Sequence, residues 1–352
     1  MALAGSDGVA AGATWGPDRI AMTKILLLGL GRWGVNHLRI LRSLPVELFV
    51  CDLQAKQLEA ARKLGIAEPR LSNDYKNFVA GVDAAVVVTP AQTHFDLCRS
   101  FLDAGKDVFV EKPITLVSSE AKQLADLASR KQRVLQVGHI FRYDTASEWL
   151  RSAIRAGQFG RVNLLRSNFS GFKRPRNDGG VTFADAIHFV DLFNYFLGQT
   201  PSRVTAVMKD FLGRGPGFDD ASHLSLEYDT PQGTTWGLIE TNYFLPGKFR
   251  EVTVVGSELT AVCDYNVSQY KIKTFANKHV RQGNDFRAEE GALHQVECAP
   301  EEPLLAELRA FVESAQTRKA PRADGWAGYD SVRVLEAALE SVKTGRTVKL
   351  SA

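Results

Sequence analysis

Between Lys24 and Gly138, short apolar runs alternate with helical stretches, and this alternation constrains the fold more than any other feature of the chain. The runs are KILLLGL, VELFVCD, DAAVVVTP, DVFVEKP and RVLQVG. Between them lie RWGVNHLRILRSL, QAKQLEAARKLG, THFDLCRSFLDAG and SSEAKQLADLASR. Strands that are apolar almost throughout have no solvent face, so both faces of their sheet must be covered. Helical connections cover them, and the expected product is a doubly wound parallel sheet. At 352 residues the chain is long for a single domain, and this unit is expected to occupy residues 22–140.

From residue 141 to 352 the pattern changes. A helix through SEWLRSAIRAG leads to a strand at RVNLLRSNF and then a long helix, VTFADAIHFVDLFNYFLG. RVTAVM, HLSLEY, TTWGLIETNYF, REVTVVG, LTAVCDY and QYKIKTF follow as strand-like runs in direct succession. Such a series predicts an open, mainly antiparallel sheet. LLAELRAFVESAQ and YDSVRVLEAALESVK close the chain as helices. The whole is α/β, a Rossmann domain followed by a second α/β domain. The first 21 residues are rich in small residues and lack the basic start and apolar core of a signal peptide. They are expected to be a disordered extension, with Met22 an alternative start.

Bulk properties exclude several classes. A net charge of +3 does not indicate a nucleic-acid-binding surface. No stretch approaches the ~18 apolar residues of a membrane span. Cys51, Cys98, Cys263 and Cys298 form no CxxC and have no metal-type spacing to histidine, so neither disulfides nor a metal site are expected. A reducing cytoplasm fits this cysteine usage.

The turn GLGRWG follows the first strand and opens the first helix, and Asp52 ends the second strand. Gly29-x-Gly31-x-x-Gly34 in that setting predicts a dinucleotide site. Gly29 permits the tight turn, Gly31 lets the backbone approach a pyrophosphate, and Gly34 lets helix and strand pack closely. Arg32 and Trp33 lie in the same turn. Free amides at the helix start meet the phosphate charge. Asp52 would accept from the adenosine ribose hydroxyls and repel a 2′-phosphate, and Leu53-Gln54 offers no arginine to neutralise one. The expected cofactor is therefore NAD. Thr89 and Pro90, at the end of DAAVVVTP, and Glu111 are further expected contacts. His94 is either another or a helix-start histidine bonded to backbone.

DVFVEKP ends on Glu111-Lys112-Pro113. Ligands of open α/β sheets bind outside the carboxyl ends of the strands, which points Lys112 at the cofactor crevice. An ammonium there can hold a substrate hydroxyl and offset alkoxide charge as hydride leaves, and burial brings its pKa toward neutrality. His188 lies in an otherwise apolar helix, where a lone histidine is either a core residue or a catalyst. Lys173, Arg174 and Arg176 stand together in the loop SGFKRPRNDGG, either as a solvated basic loop or as a phosphate clamp. Phe141, Arg142 and Tyr143, at the domain crossover, offer a stacking surface and a cation for the substrate. TNYFLPGKFR is a candidate far wall.

In order, GLGRWG, TPAQTH, GKDVFVEKP and the Gly179-Gly180 to His188 spacing resemble the family of glucose–fructose oxidoreductase, inositol dehydrogenase and the MocA proteins. RVLEAALESVKTGRTVKL is similar to that family's closing segment. The resemblance implies NAD(P)-dependent chemistry at a sugar or cyclitol carbon, with the second domain carrying the substrate and forming a homo-oligomer. It makes Lys112 the catalytic lysine and His188 the catalytic histidine. His188 is the preferred base and Lys112 the polarising cation, with the reverse as alternative. The family's aspartate four residues before the histidine is Ala184 here, which leaves Asp185 or Asp191 as the third group. The helix with its basic upstream loop is similar to dehydrogenases of UDP-N-acetylglucosamine, which implies a nucleotide-sugar substrate. A free sugar or inositol dehydrogenase and an NAD-dependent glycosidase are the alternatives.

Overall fold

A computed structural model describes residues 22–350 except 178. The N-terminal 21 residues, read above as a disordered extension, lie outside the described residues. The first sheet has six parallel strands: β1 (Thr23–Leu28), β2 (Val46–Cys51), β3 (Leu71–Ser72), β4 (Ala84–Val87), β5 (Asp107–Glu111) and β6 (Leu135–Gly138). Their order is β3-β2-β1-β4-β5-β6. The order reverses between β1 and β4, and the crevice outside those two strand ends is the ligand position of such sheets.

The central strands β1, β4 and β5 are buried on both faces because their side chains feed two separate cores. Ile25, Leu27, Val50, Val86 and Phe109 pack on one side. Leu26, Leu28, Val87, Val108 and Val110 pack on the other. Period-two alternation within one strand sends neighbours to opposite faces, and both faces here are apolar. The continuous hydrophobic runs of the sequence follow from that.

The second sheet is mixed and nine-stranded. It uses β7 (Val162–Ser170), β8 (Arg203–Lys209), β9 (Ala221–Thr230), β10 (Gly233–Asn242), β11 (Glu251–Gly256), β12 (Thr260–Asp264) and β13 (Ile272–Phe275). An exposed hairpin, β14 (Lys278–Gln282) and β15 (Asp285–Glu289), stands apart, and β16 (Leu293–Val296) and β17 (Val348–Lys349) close the two edges. Only β7 and β10 pair in parallel, from Trp236↔Leu164 to Asn242↔Ser170. Both therefore end together, at the same end of the sheet. The helix Ile187–Leu197 is buried over nearly its whole length and belongs to the core under this sheet, with Leu165, Leu224, Leu226 and Leu335.

The boundary between the halves is less simple than the sequence implied. The helix Pro303–Thr317, read above with the second half, packs Leu304, Leu308 and Phe311 into the first sheet's core. The last helix, Gly325–Thr344, spans both. A Cβ on Gly328 would lie 2.8 Å from Val137 and 2.9 Å from Ile114, whereas Val334 and Leu335 join the second core. The two sheets are clamped by returning helices, and this fixes the crevice between them.

Candidate active site

The glycine turn is built as a cradle. Gly29 has φ +91°, a left-handed conformation, and a Cβ on it would lie 2.6 Å from the Val88 carbonyl oxygen. A Cβ on Gly34 would fall 2.0 Å from the Gly29 carbonyl oxygen. Nothing lies within 4 Å of the Cβ position of Gly31. Two glycines are thus required by the protein itself, while the third leaves bare backbone facing open space, which suits a dinucleotide pyrophosphate. Asp52 holds the turn: Leu30 N donates to its Oδ2 at 2.6 Å and Gln54 N to its Oδ1 at 2.8 Å. Leu53 beside it is 88% exposed and carries no charge. Arg32 is exposed.

Glu111 joins the turn to the strand that leads into Lys112. The Trp33 indole N–H donates to its Oε1 at 2.7 Å, His37 Nε2 lies 3.1 Å from the same oxygen, and Lys112 N donates to Oε2 at 3.1 Å. Burial alone would raise this carboxyl, but His37, Lys112 and Trp33 together hold it below the usual carboxylate range. Thr89 and Thr93 share a hydroxyl contact of 2.7 Å near the same crevice, and Pro90 is exposed beside them. Of the two options for His94, the structure takes backbone bonding. The residue is 1% exposed, with Nδ1 2.8 Å from the Pro113 carbonyl and Nε2 2.9 Å from that of Thr89.

Lys112 emerges from β5 toward the second domain, where Nζ donates to the main-chain carbonyl of Ala184. Burial is the main influence on it, followed by the nearby Arg176 charge, and its pKa falls to about 8. Ala184 lies in a π-helical turn, Thr182–Ala186, directly before the helix carrying His188. Such turns widen a helix by one residue and recur at functional sites. Asp185 in the same turn accepts from Lys173 Nζ at 2.6 Å. His188 stacks on Phe169 with centroids 5.5 Å apart and meets the edge of Phe141 at 5.2 Å. Its Nδ1 is buried without a partner. Burial, then the Lys112 charge, keeps its pKa well below the usual value, so the imidazole is neutral.

Lys112 from the nucleotide-type sheet and His188 from the second domain thus converge in one crevice, and the sequence that builds this arrangement matches known families over both halves. Residues 23–139 match the oxidoreductase family's NAD-binding Rossmann fold, and residues 151–350 match its C-terminal alpha/beta domain. The chain belongs to the Gfo/Idh/MocA oxidoreductase family. It is an oxidoreductase whose first domain binds NAD. The scyllo-inositol 2-dehydrogenase (NAD(+)) of Bacillus subtilis is 26% identical, covering 92% of this chain and 95% of that protein. Two solved structures share the fold. The UDP-N-acetylglucosamine 3-dehydrogenase GnnA of Acidithiobacillus ferrooxidans has a TM-score of 0.77 at 23% identity, covering 92% of this chain and 98% of its own. The WlbA dehydrogenase of Bordetella pertussis, in complex with NADH and UDP-GlcNAcA, has a TM-score of 0.75 at 22% identity, covering 94% and 99%.

Within this Gfo/Idh/MocA chain, two expected substrate contacts are corrected. Arg142 is buried and donates to Asp191 Oδ2 from Nε at 2.9 Å and to Oδ1 from Nη2 at 2.7 Å. Its remaining nitrogen donates to the Arg322 carbonyl. Tyr143 is 3% exposed. Both belong to the joint between the halves, because a planar guanidinium enters the interior only with a matched carboxylate. This pairing also commits Asp191 to structure and leaves Asp185 as the carboxylate of the crevice. Lys173 is engaged by Asp185, whereas Arg174 and Arg176 are exposed on their loop.

Two residues went unread in the sequence. His139 is buried after β6, both ring nitrogens lacking hydrogen-bond partners, and burial lowers its pKa to about 4. Arg250 places its guanidinium 3.3 Å from the Phe169 ring centroid and donates to the Ser170 carbonyl at 3.0 Å. The only signal for Arg250 was its place at the end of TNYFLPGKFR. His139 gave none. Among the described residues no group of three or more His, Cys, Asp and Glu could hold a metal ion, and no helix is long and apolar enough to cross a membrane.

Proposed function

We propose that this chain is a cytoplasmic NAD-dependent dehydrogenase that oxidises a ring hydroxyl, at C3, of a nucleotide-activated sugar such as UDP-N-acetylglucosamine to the keto sugar, as in lipopolysaccharide precursor synthesis. The observation that carries the substrate class is the charge balance around the catalytic pair. Lys112, Lys173 and Arg250 all feel the carboxylate of Asp185, and Glu111 is a second carboxylate beside Lys112. Three cations against these two carboxylates in a half-buried crevice favour an anionic ligand, since unpaired buried charge is costly. An uncharged polyol would leave that excess in place. The activity of GnnA and the UDP-GlcNAcA bound by WlbA support the same class, and the four unpaired cysteines suit a reducing compartment.

NAD, when held at the Gly29–Gly34 turn, would supply the hydride acceptor. His188, neutral and stacked on Phe169, takes the hydroxyl proton, while Lys112 polarises the same oxygen as a cation anchored by the Ala184 carbonyl. Lys173 holds Asp185 beside them and orders the π-turn. Glu111, bound to Trp33 and near His37, couples the position of Lys112 to the cofactor turn. Self-association through the open sheet belongs to this reading.

A second reading is oxidation of inositol or a free sugar, favoured by the similarity to the B. subtilis inositol dehydrogenase along nearly the whole chain. NADH production measured over UDP-sugars, free sugars and inositol separates the two. Turnover of UDP-N-acetylglucosamine with net NADH supports the proposal. Turnover confined to uncharged polyols overturns it, and sugar release without net NADH indicates a glycosidase.

A further inference from the structure

A cavity of about 210 Å3 opens behind the aromatic surroundings of His188, lined by Phe141, Asp144, Lys248, Arg250, Tyr265 and Asn266 among others. It shares two walls with the site already described. Phe141 meets the His188 ring, and Arg250 covers Phe169, the ring on which His188 stacks. Phe141 and Tyr265 form an edge-to-face pair, centroids 4.9 Å apart, as an apolar floor.

The charges lining the cavity are one-sided. Its carboxylate, Asp144, is already spent: Lys271 Nζ lies 2.6 Å from one oxygen, and Ala146 N donates to the other at 2.9 Å. Its two cations have no such partner. Arg250 donates through Nη1 to the Ser170 and Phe249 carbonyls and makes no ion pair among the described residues, although Asp185 is near enough to be felt. Lys248 is exposed and likewise without an ion pair among them. A half-buried guanidinium held only by neutral carbonyls has lost hydration that an anion restores, and its planar fork matches a two-oxygen anion.

We infer that this cavity is the subsite for an oxyanion group of the substrate, a phosphate or carboxylate attached to the sugar whose hydroxyl meets Lys112 and His188. The inference rests on the nucleotide-sugar reading above and places the anion against β11 and the strand ends, not on the loop of Lys173, Arg174 and Arg176. Two sources supply this chemistry: the diphosphate of a nucleotide sugar, and the carboxylate of a uronic acid.

Calorimetric titration of the NAD-loaded protein with UDP and, separately, with glucuronate tests it. The parent binds at least one probe, and the one it binds identifies the source. Arg250→Gln and Lys248→Gln each weaken that binding about tenfold or more, the usual cost of a charged hydrogen bond. Arg250→Lys weakens it less, and Arg130→Gln, on an exposed helix end remote from the site, does not change it. Equal affinity in the parent and both Gln variants, each still folded by thermal melt, overturns the subsite. The larger reading fails differently: the parent then oxidises only uncharged polyols. If UDP-sugars are turned over with a KM that Arg250→Gln leaves unmoved, the subsite alone is wrong.

Discussion

Lys112 donates its ammonium hydrogen to the main-chain carbonyl of Ala184. The position at which the family's aspartate would stand therefore meets Lys112 through backbone instead of side chain. A carbonyl steadies an ammonium without supplying a full negative charge, so burial and then the Arg176 charge prevail, and the lysine pKa falls to about 8.

The first consequence is a pH profile. With Lys112 as polarising cation, kcat/KM falls as pH rises through about 8, where the ammonium discharges. Lys112→Arg keeps charge well above that pH and moves the falling limb upward. Lys112→Ala costs on the order of 100-fold or more in turnover. A limb rising through the same pH would instead make Lys112 the base.

Stability should move the opposite way. The lysine pKa is about 8 in the fold against 10.5 for the free side chain, so the folded state binds its proton less tightly than the unfolded chain. That penalty is fully present below about pH 8 and relaxes as pH rises toward 10.5. Lys112→Met should therefore stabilise the protein at pH 7, by about 1–3 kcal/mol, with the gain shrinking in alkali. Denaturant titration at pH 7 and pH 10 measures both values, and equal differences at the two pH values would refute the argument.

The glycine turn separates folding from binding. Gly34→Ala drives a methyl into the Gly29 carbonyl, and a loss of about 2 kcal/mol or more is expected. Gly31→Ala meets nothing in the protein, so its melting temperature should stay near the parent's while NAD binding weakens at least tenfold. Thermal melts with and without NAD distinguish the two variants.

Cofactor choice follows from Asp52 and its exposed neighbour. NAD should be preferred to NADP by about 100-fold or more, the effect of a carboxylate near a 2′-phosphate. Asp52→Ser with Leu53→Arg should move the ratio of kcat/KM values toward NADP. A parent enzyme indifferent to the 2′-phosphate would show that Asp52 does not face the ribose.

At the joint between the halves, Arg142→Met leaves Asp191 buried and unpaired, a loss of about 3–5 kcal/mol. The double variant Arg142→Met with Asp191→Leu should recover much of that loss. Equilibrium unfolding of the two singles and the double gives the coupling directly.

Much of this architecture was legible because its signal is local. The five apolar runs of the first sheet correspond to β1, β2, β4, β5 and β6, and the glycine turn and EKP sit at strand ends where such motifs belong. β3 has two residues, and β14 and β15 are polar and exposed, so neither gives a pattern to read. Arg142 shows the limit most clearly. In sequence it is a cation at a domain crossover, and only the fold brings Asp191, 49 positions on, against it. Arg250 and His139 were invisible for the same reason, since pairing and solvent exclusion are properties of distant segments meeting. The doubt over the third catalytic group arose from helix phase, which a one-letter string does not record.

The π-helical turn at Thr182–Ala186 gives that phase a wider meaning. It carries one residue more than the α-turn it replaces, so losing a residue there would rotate everything before it by about 100° relative to His188. Asp185 would swing away from Lys173, and a different carbonyl would face Lys112, with no catalytic side chain exchanged. A single-codon deletion in this turn is therefore expected to rearrange the crevice more than a point substitution there would.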